Sequence, residues 1–585
     1  MAHPRVLAEY TDALGRVQHS SPEAVAHADE VLRAAASSPG ELVDVVRCAA
    51  RGPTPASLVG RVLHLEGGGD LVLPDVVPDD VPHGYHRADG DRGLLLVLHA
   101  PARCPQPAGP GWFVAAQLYA ARSADSWGIG DLRDARRIRA WVDGHGPGGH
   151  VMLNPLHAPI PGPHPQPSPY FSSSRIFRNP LYLCVEEVPG AAGHRVVAEQ
   201  RERAVVAGAE RLIDHSSVWD AKRTSLLALW ADGPDARSQD RIDTLLADPG
   251  GRRYAEECAR LEEPDDPRFH AWLQVLLEDQ LLAVGPGLIH DVAVGVDRAG
   301  VDARLWPDLF VLDGTKVGAP ADEFNTQGQD WGLPPLHPVA LRAAGYEPFV
   351  RAVRSVVTGA AGIRLDHVMG LERLYWIRPG ASPVDGVYVT YDLDELLDVV
   401  AIEAGRAGAF VIGEDLGTVP DAIKAASEDR GLLGYRVMSL DADPPSTFPE
   451  RAAAALTTHD LPTIVGLVSG SDLAEQERLG LEPNRAGVEE AVARLLAWTG
   501  LTADDDPAEL VVRLHELLAA SPAMLVAATL DDLALVAERP NMPGTIDEWP
   551  NWRIALPVAL EDLLASDVAG RVAAALSVRG STHAP

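Results

Sequence analysis

The stretch AGIRLDHV at residues 361–368 runs from a short apolar segment directly into an aspartate. The same arrangement recurs in AFVIGEDL at 409–416, where Phe, Val and Ile lead into a glutamate. Both segments have the length and composition of a buried strand in a parallel sheet. In a (β/α)₈ barrel the reactive groups stand at the carboxyl ends of such strands. These two segments therefore predict both a fold and the position of a site.

Six further segments of the same kind accompany these two and bring the candidate strands to eight. Longer helical stretches separate them, as in a parallel sheet with crossover helices. We therefore predict an α/β protein built on a (β/α)₈ TIM-type barrel. The candidate strands are FVAAQLY (113–119), HVMLNPL (150–156), GLIHDVAV (287–294), AGIRLDHV, AFVIGEDL, YRVMSL (435–440), AALTTHD (454–460) and AMLVAAT (523–529).

The chain has 585 residues, whereas a barrel of this kind typically needs about 250. We assign 111–585 to the barrel and expect large helical insertions at about 155–285 and 298–340. The first insertion contains two amphipathic helical patterns, at 217–233 and 268–284. Before the barrel we expect a helical lead over 1–50 and a small β-rich domain over 51–110.

Charge and composition narrow the class of function. The chain carries 50 basic and 83 acidic residues, a formal net charge of -33, and so we expect neither nucleic acid nor membrane as a partner. No stretch approaches the ~20 apolar residues of a membrane span. The four cysteines form no C-x-x-C pair, and the opening MAHPRVLAEY lacks the pattern of a secretory signal. We therefore expect reduced cysteines and a cytoplasmic location.

Polar side chains directly follow four of the candidate strands. Several carboxyls at one end of a barrel are costly to bury unless they are paired or used. For any single one of them, a helix N-cap or a salt-bridge partner is the alternative interpretation. The residues are Asp291, Asp366, Glu414 and the pair His459 and Asp460.

Asp366 and Glu414 carry the strongest indication of chemistry. Arg364 lies two residues before Asp366, hence on the same face of the strand, where its guanidinium favours an ionised Asp366. One ionised carboxylate beside one carboxylic acid of raised pKa is what cleavage of a glycosidic bond requires. A separation near ~5 Å between the two would mean a covalent intermediate and retention of configuration.

Nine segments in the same order make the chain resemble the 4-α-glucanotransferases called amylomaltases or disproportionating enzymes, glycoside hydrolase family 77. The resemblance runs from about Gln117 to about Trp552. Many separated matches in order are far more specific than one short motif. The segments are SWGIGDL (126–132), LNPLHA (153–158), QPSPYFSSSRIFRNPLYL (166–183), HDVAVGVD (290–297), GQDWGLPPL (328–336), GIRLDHVMGL (362–371), VIGEDLGTVP (411–420), TTHDLPT (457–463) and NMPGTIDEWPNW (541–552).

This resemblance implies an activity and a set of roles. A segment of an α-1,4-glucan would pass to the 4-hydroxyl of glucose or of another α-1,4-glucan through a covalent glucosyl-enzyme intermediate. Asp366 would be the nucleophile, Glu414 the general acid/base and Asp460 a carboxylate that stabilises the distorted sugar. Maltooligosaccharides, amylose and glycogen-type chains would serve as donor and acceptor, with no cofactor and no metal. The implied glucan contacts are Arg364, His459, Asp291, Tyr170, Gln329 and Trp331.

The chain departs from the family pattern in two places. Glu323 and Phe324 stand where several members carry adjacent aromatics, so we expect the acceptor site or a second glucan site to differ. The first ~110 residues lie outside the part of the fold that all such enzymes share. All 12 tryptophans lie at Trp112 or beyond, so a glucan contact from the β-rich domain is not predicted.

The sequence leaves three alternative functions to consider. An α-glucan hydrolase would use the same three carboxyls, and the residues alone leave it open. A silent glycan-binding protein would be expected to lack one of these carboxyls, yet all are present. A metal-dependent barrel enzyme is suggested by histidines near strand ends, but none forms an H-x-H or H-x-x-x-H pair. These histidines are His157, His164, His290, His367 and His459.

Overall fold

A computed structural model describes most of the chain. Glu323 and Phe324, and parts of the predicted helical lead, lie outside the described residues. The chain forms two compact units: Met1–Gln106 with Val294–Arg298 and Asp302–Gly434, and Pro107–Ala293 with Ala299–Val301 and Tyr435–Pro585. The described residues are 3–11, 16–35, 44–49, 52–91, 93–208, 210–321, 327–417 and 419–581.

All eight candidate strands belong to one closed barrel, which confirms the predicted fold class. Their order around the barrel follows their order in the chain. Neighbouring strands run parallel, with Val151 beside Leu288 and Gly362 beside Phe410. The barrel strands, first to eighth, are Gly111–Ala116, Gly149–Leu153, Leu288–Val292, Gly362–Leu365, Phe410–Gly413, Leu433–Val437, Ala452–Ala455 and Leu525–Thr529.

The barrel strands are buried on both faces. Every residue of Leu288–Val292, Gly362–Leu365 and Phe410–Gly413 is buried. A strand in this setting reads as a continuous apolar run instead of an alternating one. The sequence shows such runs, interrupted by Arg364 in the fourth strand and by His290 and Asp291 in the third. Asp366 and Glu414 each directly follow the last residue of a strand, as predicted, whereas Asp291 lies inside its strand and not after it.

Helices make up most of the chain between the barrel strands. The two predicted amphipathic helices are present as His215–Asp232 and Pro267–Val284, the first of which ends one residue before the predicted Gly233. Asp214 caps the first of these by accepting hydrogen bonds from the amides of Ser216 and Ser217. The helices are Pro22–Ala35, Leu132–Asp143, Arg195–Ala207, His215–Asp232, Ala236–Ala247, Pro249–Leu261, Pro267–Val284, Val301–Leu305, Pro338–Ala343, Glu347–Val357, Leu393–Ala407, Asp421–Asp429, Ile464–Val468, Ser471–Arg478, Arg485–Thr499, Pro507–Ala519, Leu530–Leu533, Leu560–Leu564 and Asp567–Ser581.

Two five-stranded sheets belong to the first unit. One packs Leu58, Leu63 and Val97 into a small core of its own. Its first strand lies within the range predicted as the helical lead, and the domain boundaries stay a prediction. The strands of this sheet, in order, are Asp44–Arg47, Gly93–His99, Gly84–Gly90, Val62–His64 and Asp70–Val72; those of the other are Val6–Leu7, Gly386–Thr390, Arg373–Ile377, Lys316–Ala319 and Gln329–Asp330.

Short hairpins complete the described strands. They are Glu9–Thr11 with Val17–His19, and His157–Ala158 with Ser174–Arg178. In the part of the chain that the structure describes, no helix has the length and apolar character to cross a membrane. The four cysteines are buried and unpaired.

A buried ion pair joins the N-terminal sheet to the helix Leu393–Ala407 within the first unit. Arg47 Nε donates to Asp398 Oδ2 over 2.5 Å, and Arg430 donates to the other carboxylate oxygen. Asp398 is only 3% exposed. Two guanidiniums on one shielded carboxylate satisfy a charge that would otherwise be costly to bury.

Candidate active site

Asp366 stands directly after the fourth barrel strand, beside a buried arginine. Arg364 Nη1 lies 3.0 Å from Asp366 Oδ1, and the side chains are 5% and 19% exposed respectively. A guanidinium this close favours the carboxylate form over the acid. The predicted pairing of these two residues on one face of the strand is present, and Asp366 keeps some contact with solvent.

Glu414 stands directly after the fifth barrel strand and is held by two backbone amides. The amide of His367 donates to Oε2 over 2.9 Å, and the amide of Leu416 donates to Oε1 over 2.8 Å. Loss of contact with water raises the pKa of Glu414 above its ordinary 4.5, although Arg364 and these amides lower it. A carboxyl with a raised pKa is suited to donate a proton.

His367 links Glu414 to a neighbouring loop. Its backbone is left-handed, with φ 50° and ψ 61°, a conformation that non-glycine residues adopt rarely and often at functional sites. This conformation accompanies the donation of its amide to Glu414. Burial, with help from Arg373, lowers the pKa of the His367 ring to about 4. The ring is therefore neutral at pH 7.

Gln329 and Trp331 lie side by side after the strand Lys316–Ala319. Trp331 Nε1 donates to Gln329 Oε1 over 3.0 Å. The indole ring meets the ring of His367 edge to face, with centroids 5.0 Å apart. Within the first unit, Trp331 thus contacts His367, the residue next to Asp366 in the chain.

The second unit brings together the four remaining predicted site residues. Tyr170 Oη donates to Asp291 Oδ2 over 2.5 Å and lies 3.3 Å from His459 Nδ1. The rings of Tyr170 and His459 are stacked, with centroids 4.7 Å apart. One face of the predicted stacking platform is therefore covered by protein.

His459 and Asp460 follow the seventh barrel strand after a short connection. His459 Nε2 lies 3.1 Å from Asp460 Oδ2, and the side chain of Asp460 is 47% exposed. The exposed carboxylate and the shielded imidazole, which is 9% exposed, form one polar group that is open to a ligand on the Asp460 side.

Sequence reasoning missed the residues that hold this pair from the loop 541–552. Asn541 Nδ2 donates to Asp460 Oδ1 over 2.7 Å, and its amide donates to the carbonyl of His459 over 3.2 Å. The Trp552 ring lies 5.2 Å from that of Tyr170 and 5.5 Å from that of His459. The only available signal was the segment NMPGTIDEWPNW as a whole.

Arg539, also missed, fixes the base of the same loop. Arg539 Nη1 donates to the carbonyl of Asp460 over 3.1 Å. Its Nε donates to Asp472 over 2.6 Å, and both side chains are almost wholly buried. Trp549 Nε1 in turn donates to the carbonyl of Arg539 over 3.2 Å. One buried ion pair thus anchors both Asp460 and the loop.

Asp531, just after the eighth barrel strand, is a further acid near His459 and is half-buried. Burial and the neighbouring Asp532 raise its pKa to about 7, while His459 and Arg211 lower it. Within the described ranges, no group of three or more His, Cys, Asp or Glu side chains is arranged to hold a metal ion.

Comparison with known proteins identifies the family. The sequence profile described as 4-alpha-glucanotransferase matches residues 116–247 and 248–560, which together make up more than half of the chain. The chain belongs to the 4-alpha-glucanotransferase family, glycoside hydrolase family 77. The resemblance drawn from nine separate segments is thereby confirmed.

Individual members of this family align with this chain over most of their length. The 4-alpha-glucanotransferase of Mycobacterium tuberculosis is 36% identical, over 87% of this chain and 82% of that protein. The one from Haemophilus influenzae is 29% identical, over 82% and 81%. The crystal structure of amylomaltase from Corynebacterium glutamicum superposes with a TM-score of 0.87 at 27% identity, over 98% of both chains.

Family membership fixes the activity and the broad class of substrate. This enzyme is a 4-alpha-glucanotransferase, and its substrates are α-1,4-glucans. Membership of this family excludes two of the alternatives, a silent binding protein and a metal-dependent barrel enzyme.

Proposed function

We propose that the transferase works by double displacement, with Asp366 as nucleophile, Glu414 as general acid/base and Asp460 as the carboxylate that stabilises the transition state. The observation that carries this proposal is the contrast between two neighbouring acids. Arg364 lies 3.0 Å from Asp366, whereas burial raises the pKa of Glu414 above 4.5. One acid favours the ionised form and the other favours the protonated form, as the reaction needs.

The register of the two strands supports a retaining reaction. Leu365 pairs with Gly413, so Asp366 and Glu414 each follow one member of the same pair. Neighbouring strands lie about 5 Å apart, and carboxyl groups about 5–5.5 Å apart are typical of retaining glycosidases.

In the first step, an Asp366 carboxylate oxygen attacks the anomeric carbon of a glucosyl unit. The bond from that carbon to the glycosidic oxygen breaks, and Glu414 gives its proton to the departing oxygen. The result is a β-glucosyl ester on Asp366, an ionised Glu414 and a free glucan with a new 4-hydroxyl.

In the second step, Glu414 takes the proton from the 4-hydroxyl of an acceptor glucan. The acceptor oxygen attacks the anomeric carbon, the ester to Asp366 breaks and an α-1,4 bond forms. Glu414 is again protonated, so the enzyme returns to its starting state. The number of α-1,4 bonds does not change.

The remaining site residues would hold the glucan. Asp460 would bond the sugar hydroxyls at the reacting unit, and His459 would share with one of them the N–H that faces Asp460; preorganised charge of this kind stabilises an oxocarbenium-like transition state. Asp291 and Tyr170 would contact the same glucan, and their link to His459 supports this. Gln329 and Trp331 would form a second contact surface close to His367.

We also propose the kinds of glucan and the compartment. Maltooligosaccharides, amylose and glycogen-type chains are neutral, which suits a chain of formal net charge -33. Four buried, unpaired cysteines support the cytoplasm, where thiols stay reduced. Fractionation of the source cells with antibody detection tests the compartment, and recovery outside the cytoplasm would contradict it.

The test of the catalytic roles is incubation with maltotriose, with products separated by chain length. We expect glucose together with a ladder of longer maltodextrins, and neither from Asp366→Asn or Glu414→Gln. Asp421→Asn, an exposed acid at the start of a helix, is the matched control and should behave as wild type. Glucose and maltose without longer products would mean hydrolysis instead of transfer, and full activity in Asp366→Asn would overturn the assignment of the nucleophile.

A further inference from the structure

Four polar side chains of the second unit form a continuous hydrogen-bonded row. Tyr170 Oη lies 2.5 Å from Asp291 Oδ2 and 3.3 Å from His459 Nδ1. The other ring nitrogen of His459 lies 3.1 Å from Asp460 Oδ2. The row begins and ends on a carboxyl group, and this arrangement restricts where its protons can be.

The direction of each hydrogen bond follows from the first carboxylate. An ionised Asp291 has no proton to give, so Tyr170 must donate its single hydroxyl proton to it. The tyrosine oxygen can then only accept from His459, which requires a proton on Nδ1. A neutral His459 with its proton on Nδ1 would direct the lone pair of Nε2 at the Asp460 carboxylate, which is repulsive.

We propose that Asp291 and Tyr170 are positioning residues that fix a proton on Nδ1 of His459, so that His459 and Asp460 share a second proton and titrate as one unit. The effect passes along the row through the direction of each hydrogen bond: because Tyr170 donates to Asp291, it can only accept from His459, which must therefore donate from Nδ1. The imidazole thereby faces Asp460 as a donor, and the exposed carboxylate is held in place by a charged partner as well as by Asn541.

The other groups around His459 are compatible with this charge. Asp531 approaches from the helix Leu530–Leu533 and is itself influenced by His459. Any ionised fraction of Asp531 favours the imidazolium. Trp552 and Tyr170 cover the ring with aromatic surface and bring no further cation. Arg211 acts on Asp531 and pairs with Glu538 over 2.9 Å.

The consequence for catalysis rests on the proposed role of Asp460 at the reacting sugar. Loss of the shared proton at high pH leaves two electron-rich atoms facing each other at 3.1 Å. Asp460 is then driven from its position, and transfer falls. The alkaline limit of activity therefore reflects the pair His459 and Asp460 in addition to Glu414.

Ring-¹⁵N-histidine labelling of the whole enzyme tests the proton positions directly. The His459 resonances are those absent from His459→Gln. We expect both nitrogens to carry protons at pH 7, and the midpoint of their titration to fall by about 1 pH unit in Tyr170→Phe. Without the tyrosine oxygen, the single proton of a neutral ring can move to Nε2 and face Asp460.

Asp291→Asn gives an independent arm of the same experiment. Its amide can donate to Tyr170, which reverses the row and again allows the proton on Nε2, so the midpoint should also fall. Tyr375→Phe, which removes a hydroxyl that accepts from the amide of Gly386 over 2.9 Å, is the matched control and should leave the midpoint unchanged. If Tyr170→Phe does not fold, as judged by its thermal melting, Asp291→Asn decides alone.

Two results would overturn the inference: a singly protonated His459 in the wild type at pH 7, or midpoints that stay unchanged in the variants that fold. Maltotriose disproportionation by the same samples separates this question from the catalytic proposal. A wild type that titrates as expected yet makes no ladder would refute the proposed function alone, and an active wild type with a singly protonated His459 would refute the row alone.

Discussion

The guanidinium of Arg364 lies 3.0 Å from the carboxylate of Asp366 and is almost entirely shielded from water. Arg364→Lys keeps the positive charge but loses the planar fork that fixes the carboxylate. We expect kcat for maltotriose transfer to fall by about 10²–10³-fold, with a smaller change in KM. Arg351→Lys, in an ion pair with Glu347 on a helix surface, is the control. A kcat within a few-fold of wild type would show that Arg364 does not orient the nucleophile.

Glu414 gives a prediction about pH and stability. Its pKa is raised above 4.5 in the folded enzyme, so the folded state holds the proton more tightly than the unfolded chain. The associated stability is present below pH 4.5 and is lost as the pH rises through the folded pKa. Glu414→Gln cannot ionise, so its free energy of unfolding should fall less than that of wild type between pH 4.5 and 7.

Urea unfolding of wild type and Glu414→Gln across this pH range measures the difference. Asp421→Asn serves as the control and should follow the wild-type curve. Parallel curves for wild type and Glu414→Gln would mean that the folded pKa of Glu414 is not raised, and would remove its main qualification as the proton donor.

Activity should depend on the neutral charge of the Asn541 side chain as well as on its hydrogen bond to Asp460. Asn541→Asp would set a second carboxylate 2.7 Å from Asp460, and like charges this close raise the pKa of one of them. We expect kcat/KM to fall more in Asn541→Asp than in Asn541→Ala at pH 7, and the gap to narrow at pH 5. Maltotriose kinetics at the two pH values provide the measurement, and a gap independent of pH would contradict this electrostatic account.

Breaking the buried ion pair of Arg539 and Asp472 should lower the free energy of unfolding more than breaking a surface ion pair. Arg539→Met leaves Asp472 shielded and unpaired, and breaking such a pair costs about 3–5 kcal/mol. The double variant Arg539→Met, Asp472→Leu should recover much of this loss, because no uncompensated charge remains. Chemical denaturation of the two variants and wild type measures the effect, and equal losses in single and double variants would refute it.

The barrel could be predicted because its strands depend on local sequence. The runs before Asp366 and Glu414 are buried at every position and apolar except for Arg364, since both faces of each strand are covered. The polar residue that ends each run marks the rim where a site can form. The same reasoning singles out Asp291, which in the structure lies inside the third strand, and the pair His459 and Asp460, which lies beyond the end of the seventh.

The missed features depend on contacts between distant parts of the chain. Asn541 sits in a loop without periodicity, and only the return of that loop beside His459 gives it a partner 81 residues away. The strand Val6–Leu7 likewise gains its sheet from Gly386–Thr390. The left-handed backbone of His367 is one that histidine adopts more often than most side chains, but the sequence alone does not predict it, because it depends on the surroundings.

The contacts of Asp398 limit how the N-terminal part of this enzyme can be truncated. Its two buried contacts come from Arg430, which belongs to the barrel segment, and from Arg47, which belongs to the N-terminal sheet. A truncation that removes the sheet deletes one cation and opens the carboxylate to solvent. A minimal catalytic fragment will therefore need Asp398 redesigned together with the new surface, and homologues without such a sheet are expected to carry a different residue at this position.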